Sequence, residues 1–224
     1  PPRSTQAKTL FPYTTLFRSQ LRALQLSTAW ALVATHAPVR CTTPVLAYGS
    51  LREEGRSLPE FRRRQALACT VAGMVALIVL ATFCDVMRGQ RDLAAFARKR
   101  SQAQLRALGF YCDPHTGRVR CPGETAFFRV LGALSADQVE AVLLRWQAKL
   151  LGPVHDTLIA IDGKTLRHSR GQELVSAIGG QTGRWLGTVR VADKSNEIPA
   201  AQTLIDRLEL DGKLVVLDAL HTQD

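Results

Sequence analysis

The chain has 224 residues, 46% of them apolar and 21% charged, with a mean hydropathy of −0.01. These values exclude a disordered tail, a collagen-like fibre and a multi-span membrane protein, and leave room for one ordinary domain or two small ones. Lys and Arg number 29 against 19 Asp and Glu, and the resulting charge of +10 is uneven: residues 1–156 carry net +11 and residues 157–224 net −1. A basic front half points to a polyanion, with nucleic acid first, because neutralising phosphates releases counterions. Five cysteines, an odd number without regular spacing, fit reduced thiols in the cytoplasm better than a disulfide framework.

The chain opens on Pro1-Pro2, and its first methionine is Met74. Residues 1–20, Thr-rich and without periodicity, read as a non-native scar or a disordered lead, and 21–54 as a poorly defined lead-in. Residues 55–152 read as helical. Residues 65–84 carry no charge and are long enough to cross a bilayer. Their Ala, Gly, Thr and Cys content, between charged amphipathic flanks, favours a buried helix and no membrane association. One or two helices are predicted over 61–88, and another over 91–108 with Leu93, Phe96, Leu105 and Leu108 inward. After a loop at 109–123, a helix over 124–134 places Phe127, Phe128, Val130, Leu131 and Leu134 on one face. Ser135-Ala136-Asp137-Gln138 has the form of a capping box opening the next helix, with Val139, Val142, Leu143, Trp146 and Leu150 as its buried stripe. The 124–150 pair reads either as two packed helices or as a helix-turn-helix. Cys112 and Cys121, around His115, lack the close Cys pair and fourth ligand of a zinc site.

The pattern changes after Gly152-Pro153. Strands are predicted at 157–161, 173–178 and 185–191, with a turn at 179–183. A helix follows, with Pro199 in its first turn and Ala201, Leu204, Ile205 and Leu208 inward, and then a fully apolar strand at 213–217 that looks like a central strand, buried on both faces. Strand, strand, strand, helix, strand is the opening of an α/β domain with a mixed sheet, so the whole is α+β. Asp162 follows the first strand and Asp218 the last. If those strands are parallel neighbours, both carboxylates emerge at one sheet edge, where α/β folds place ligands. They would repel without a cation between them, and Mg²⁺ or Mn²⁺ suits such oxygen donors. The ordinary alternative is that each Asp simply opens a turn.

Four segments in order carry more: Ile161-Asp162-Gly163-Lys164-Thr165-Leu166-Arg167, Leu174-Val175-Ser176-Ala177, Lys194-Ser195-Asn196-Glu197-Ile198-Pro199-Ala200 and Leu217-Asp218-Ala219-Leu220-His221-Thr222-Gln223. Together with Pro122-Gly123-Glu124-Thr125-Ala126-Phe127 and Leu144-Arg145-Trp146, they resemble the H-repeat-associated family of bacterial insertion-sequence transposases of the DDE type. The resemblance spans about residues 50–223. It implies a helical transposase-associated domain at 55–152, followed at 153–224 by the first part of a ribonuclease H-like catalytic domain. Asp162 and Asp218 would then be the first two acids of the triad, catalytic and metal-binding. The third, a glutamate beyond the second aspartate, would lie past residue 224, so the resemblance implies a truncated chain that transfers no strand itself. Gly163, Lys164, Lys194, Ser195, Asn196 and Glu197 belong to motifs near that site. Glu197 would position the helix start or approach the metal; Lys164 and Lys194 would contact phosphate or stay solvated.

The implied chemistry of the parent is metal-assisted phosphoryl transfer, in which activated water nicks the element's end and the freed 3′ hydroxyl attacks target DNA. Its partners would be terminal-repeat and target DNA, with a homo-oligomer left open, in the bacterial cytoplasm and on the nucleoid when bound. A non-catalytic DNA-binding remnant of a decayed mobile element is the alternative.

Overall fold

The structure, a computed structural model, describes residues 51–61, 68–83, 89–165, 173–192 and 197–217. These fall into two compact units that divide between Leu151 and Gly152.

The first unit is built around α1 (Val71–Phe83), an apolar helix with no polar stripe. Met74, Val75, Ala76, Leu77, Ile78 and Val79 are all buried, so the segment is a core helix. Among the described residues, no helix is long and apolar enough to cross a membrane. α1 packs against α2 (Gln90–Arg98) and α4 (Glu124–Ala133), which also pack on each other. The helix predicted over 91–108 is broken into α2 and α3 (Gln102–Ala107). Ser101 causes the break. Its hydroxyl accepts from the Gln104 amide while the Gln104 side chain accepts from the Ser101 amide, a capping box that starts a new helix.

The Gln138 amide points at the Ser135 hydroxyl where α5 (Ala136–Leu151) begins. Its Val139, Val142, Leu143 and Trp146 are buried as predicted, but Leu150 is 43% exposed and Gln147 takes the last buried position. On α4, Phe127 is buried and Phe128 is 41% exposed, because consecutive helical residues point about 100° apart and only one can face α1 and α2.

The second unit is a four-stranded mixed sheet in the order β3-β2-β1-β4, formed by β1 (Leu158–Thr165), β2 (Glu173–Gly179), β3 (Trp185–Arg190) and β4 (Leu214–Leu217). β1–β2 and β2–β3 are antiparallel and β1–β4 is parallel. The crossover into β4 carries α6 (Glu197–Ile205). Alternation along the strands turns Ile159, Ile161, Val175 and Ala177 towards one face, where Ala200, Ala201 and Leu204 of α6 close the core.

Two sequence expectations need correction here. β1 does not stop before Asp162; it runs on to Thr165 because β2 keeps pairing with it, Asp162 opposite Ser176 and Thr165 opposite Glu173. β4 is not buried on both sides. It is an edge strand among the described residues, with Leu214 65% and Val216 47% exposed, while Val215 and Leu217 pack inward.

Leu204 is fully enclosed between α6 and the sheet, so Leu204→Ala should cost about 2–5 kcal/mol. Urea unfolding reads this directly, and an unchanged midpoint would mean that α6 does not cover the sheet.

Candidate metal centre

Asp162 lies within β1 on the face opposite α6, and it is exposed. Beside it on that face stands its cross-strand partner Ser176, whose hydroxyl is 3.0 Å from that of Thr188 on β3. The Thr188 hydroxyl also accepts from Trp185 Nε1 at 3.0 Å. Ser176 lies in one of the four motifs, but nothing in the sequence pairs it with Asp162 or with Thr188, since neither stands near it along the chain.

On the other side of Asp162, β4 pairs in parallel register, with Leu217 level with Ile161. Asp218 lies outside the described residues, as do Lys194, Ser195, Asn196, His168 and His221. Lys164 continues β1 opposite Leu174.

Gly163 and Glu197 are brought together, on the helix-covered face. A Cβ built on Gly163 would overlap the Glu197 carboxylate, so the absence of a side chain lets the start of α6 close onto β1. Glu197 and Asp162 therefore belong to opposite faces of β1. Among the described residues, no three His, Cys, Asp or Glu side chains gather into a ligand set; Asp162 contributes one carboxylate. Cys112 sits in a short antiparallel bridge with Val119, and burial pushes the Cys121 thiol up.

Sequence reasoning missed the Asp156 clasp. Asp156 is buried just before β1, and its carboxylate accepts from the Gln181 amide at 2.9 Å, the Thr182 amide at 2.8 Å and the Thr182 hydroxyl at 2.7 Å. Burial alone would raise this carboxyl, but the bonds from Thr182 and Gln181 outweigh it and hold it below the usual carboxylate range. Gly179 leaves the space, since a Cβ there would overlap the carboxylate. Buried Arg184 adds to the same anchor, donating from Nη1 to the Gly152 and Pro153 carbonyls at 2.7 and 3.3 Å. Only the GGQTG turn signalled that 179–183 reverses the chain; nothing in the spacing joined it to Asp156.

Two outcomes follow from these contacts. Because the folded carboxyl of Asp156 is depressed, its contribution is complete above the unfolded value of about 4 and is lost as pH falls through the folded value. Thermal melts should show that acid loss diminished in Asp156→Asn; an identical acid profile would remove the clasp. Gly163→Ala should destabilise only slightly, by about 1 kcal/mol or less, because the atoms it meets are the far end of the flexible Glu197 side chain, with that penalty relieved in Gly163→Ala/Glu197→Ala. A double variant as unstable as the two single changes added together would contradict the contact.

Comparison with known proteins finds relatives that match most of the chain. The chain is 28% identical over 183 residues to "H repeat-associated putative transposase YhhI" of Escherichia coli (strain K12), covering 77% of this chain and 46% of that protein. It is 30% identical over 159 residues to "Putative transposase YncI" of the same strain, covering 66% and 61%. With "H repeat-associated putative transposase YbfD", also of that strain, the identity is 26% over 183 residues, covering 77% and 68%. The chain thus spans about half the length of YhhI. No protein-family model and no solved structure matches it. Similarity to several such proteins across most of its residues supports the H repeat-associated transposase family for this chain.

Proposed function

We propose that the chain is the front part of a DDE-type transposase whose ribonuclease H-like sheet supplies the first two acids, Asp162 and Asp218, for divalent-metal-dependent cutting and joining of DNA. The observation that carries this reading is the parallel register of β1 and β4, with Ile161 level with Leu217. Asp162 and Asp218 directly follow these two paired residues in the sequence. The strand order β3-β2-β1-β4, with a helix in the crossover to β4, supports the ribonuclease H-like assignment.

The donor chemistry fits a hard cation. Asp162 offers carboxylate oxygen from a rigid strand and is open to solvent, the combination Mg²⁺ and Mn²⁺ favour when they keep several waters. Asp162 and Asp218 would hold the ion. Bound there, it would supply Lewis-acid activation of a water or 3′ hydroxyl and neutralise charge on the leaving oxygen of a phosphodiester.

The chain's own residues do the rest. Ladder bonds on β1 fix the Asp162 backbone, so only its short side chain has to be ordered when substrate arrives. Ser176, tied to Thr188, presents a hydroxyl beside it. Lys164 and Lys194 flank the site in sequence and would meet phosphate oxygens. Glu197 acts from the other side of β1, holding the start of α6 against Gly163, which makes it a positioning residue. DNA at the ends of a mobile element, together with target DNA, is the substrate this reading assigns. The names of YhhI and YncI support it.

Mn²⁺ affinity, followed by water-proton relaxation, tests the proposal on the chain as it stands. Asp162→Asn and Asp218→Asn should each weaken binding at least tenfold, while the remote exposed acid change Asp206→Asn leaves it intact. Equal affinities in all four proteins would reject the site.

A further inference from the structure

The helical unit carries a charged surface that the metal site does not use. Between residues 98 and 121 the sequence holds six Lys and Arg and a single acid, Asp113. The fold gathers five of them, while half-buried Arg100 lies over the Phe96 ring. Arg98 and Lys99 end α2, Arg106 lies on α3, and Arg118 and Arg120 lie on the return strand of the short ribbon closed by the Cys112–Val119 bridge. All five are exposed.

The three pieces form one surface. Arg106 Nη2 donates to the Gly117 carbonyl at 2.7 Å, and the Val119 amide donates to the Gln102 side chain at 2.7 Å, fixing α3 to the ribbon. Arg98 is close enough to act on the Cys121 thiol, which joins the end of α2 to the same patch. Ion pairs among the described residues engage Arg56, Arg145 and Lys149, and none of these five cations. Tyr111, 51% exposed, stands across the ribbon from Arg120, whose amide donates to the Tyr111 carbonyl at 3.1 Å.

We infer that the end of α2, α3 and the 111–120 ribbon together form a docking surface for the phosphate backbone of duplex DNA. The inference rests on the transposase reading for its choice of DNA, and it adds the place where the helical unit would grip it. Arginine suits that role because its fork reaches phosphate oxygens in pairs, and Arg supplies four of the five cations. The partner is an extended polyanion, since the cations come from three separate segments and a small anion could touch only a few. Such contacts position the duplex without reading its sequence.

Fluorescence anisotropy with a labelled duplex, performed in EDTA over a salt series, is the test. Wild-type chain should bind with log affinity falling linearly in log salt. The combined variant Arg98→Gln, Lys99→Gln, Arg118→Gln, Arg120→Gln should bind at least tenfold more weakly at low salt, with a slope shallower by about 3 to 4. Arg106 is left in place because it also holds the ribbon. Should the quadruple variant fail to fold, the pairs Arg98→Gln/Lys99→Gln and Arg118→Gln/Arg120→Gln, made separately, should each remove about half of that slope. Arg56→Gln, which alters an exposed arginine elsewhere in the unit, should change nothing. Unchanged affinity and slope in the variants, no duplex binding by the wild type, or equally tight binding of polyglutamate would each overturn the inference. Metal plays no part in the assay, so a negative result leaves the Asp162 site to its own test.

Discussion

The double pairing of β1 is the constraint on which the second unit depends. β1 is bonded antiparallel to β2 and parallel to β4, and both ladders must be in register at once. Side chains alternate strictly along a strand, so a slip of one residue in either ladder would exchange its faces. Ile161 would leave the core beneath α6, and the Asp162 carboxylate would be driven into the space that Glu197 occupies over Gly163. The apolar core on one side therefore fixes which side the carboxylate takes. Burying Ile159, Ile161 and Val175 is what presents Asp162 to solvent from a rigid position.

That logic explains how much was legible in the sequence. Runs of β-branched and aliphatic residues marked all four strands and their order, and the apolar spacing of Ala201 and Leu204 marked the inward face of α6. Strand ends were harder, because β1 continues through Asp162, Gly163 and Lys164 on the strength of bonds to β2 that no local pattern announces. The apolar run of β4 suggested burial on both faces, yet edge position leaves Leu214 and Val216 exposed. In the helical unit, periodicity ran smoothly across Ser101, and a side-chain cap decided the break. Phe127 and Phe128 are alike as residues, and only the direction of α4 separates the core ring from the exposed one. The Asp156 clasp was invisible because it joins residues 25 and 26 positions apart through a turn.

The two units also divide the electrostatic work. Excess positive charge is concentrated in the helical half, whereas the sheet half is nearly neutral with carboxylates at chosen places. Phosphate attraction is long-ranged and tolerant of geometry, so exposed side chains from several segments can supply it. A hard cation needs oxygen atoms held to a fraction of an ångström, which hydrogen-bonded strands can do and surface lysines and arginines cannot. Similarity to H repeat-associated transposases is consistent with that division, and the proposed chemistry rests on the register of β1 with β4.

The most direct measurement is a double-mutant cycle on Mn²⁺ binding, read by electron paramagnetic resonance, with Asp162→Asn, Asp218→Asn and the two combined. Carboxylates that share one ion are strongly coupled, so the double variant should lose little more affinity than either single variant. Losses that simply add, or a loss at one position alone, would contradict a common site and with it the catalytic reading of this sheet.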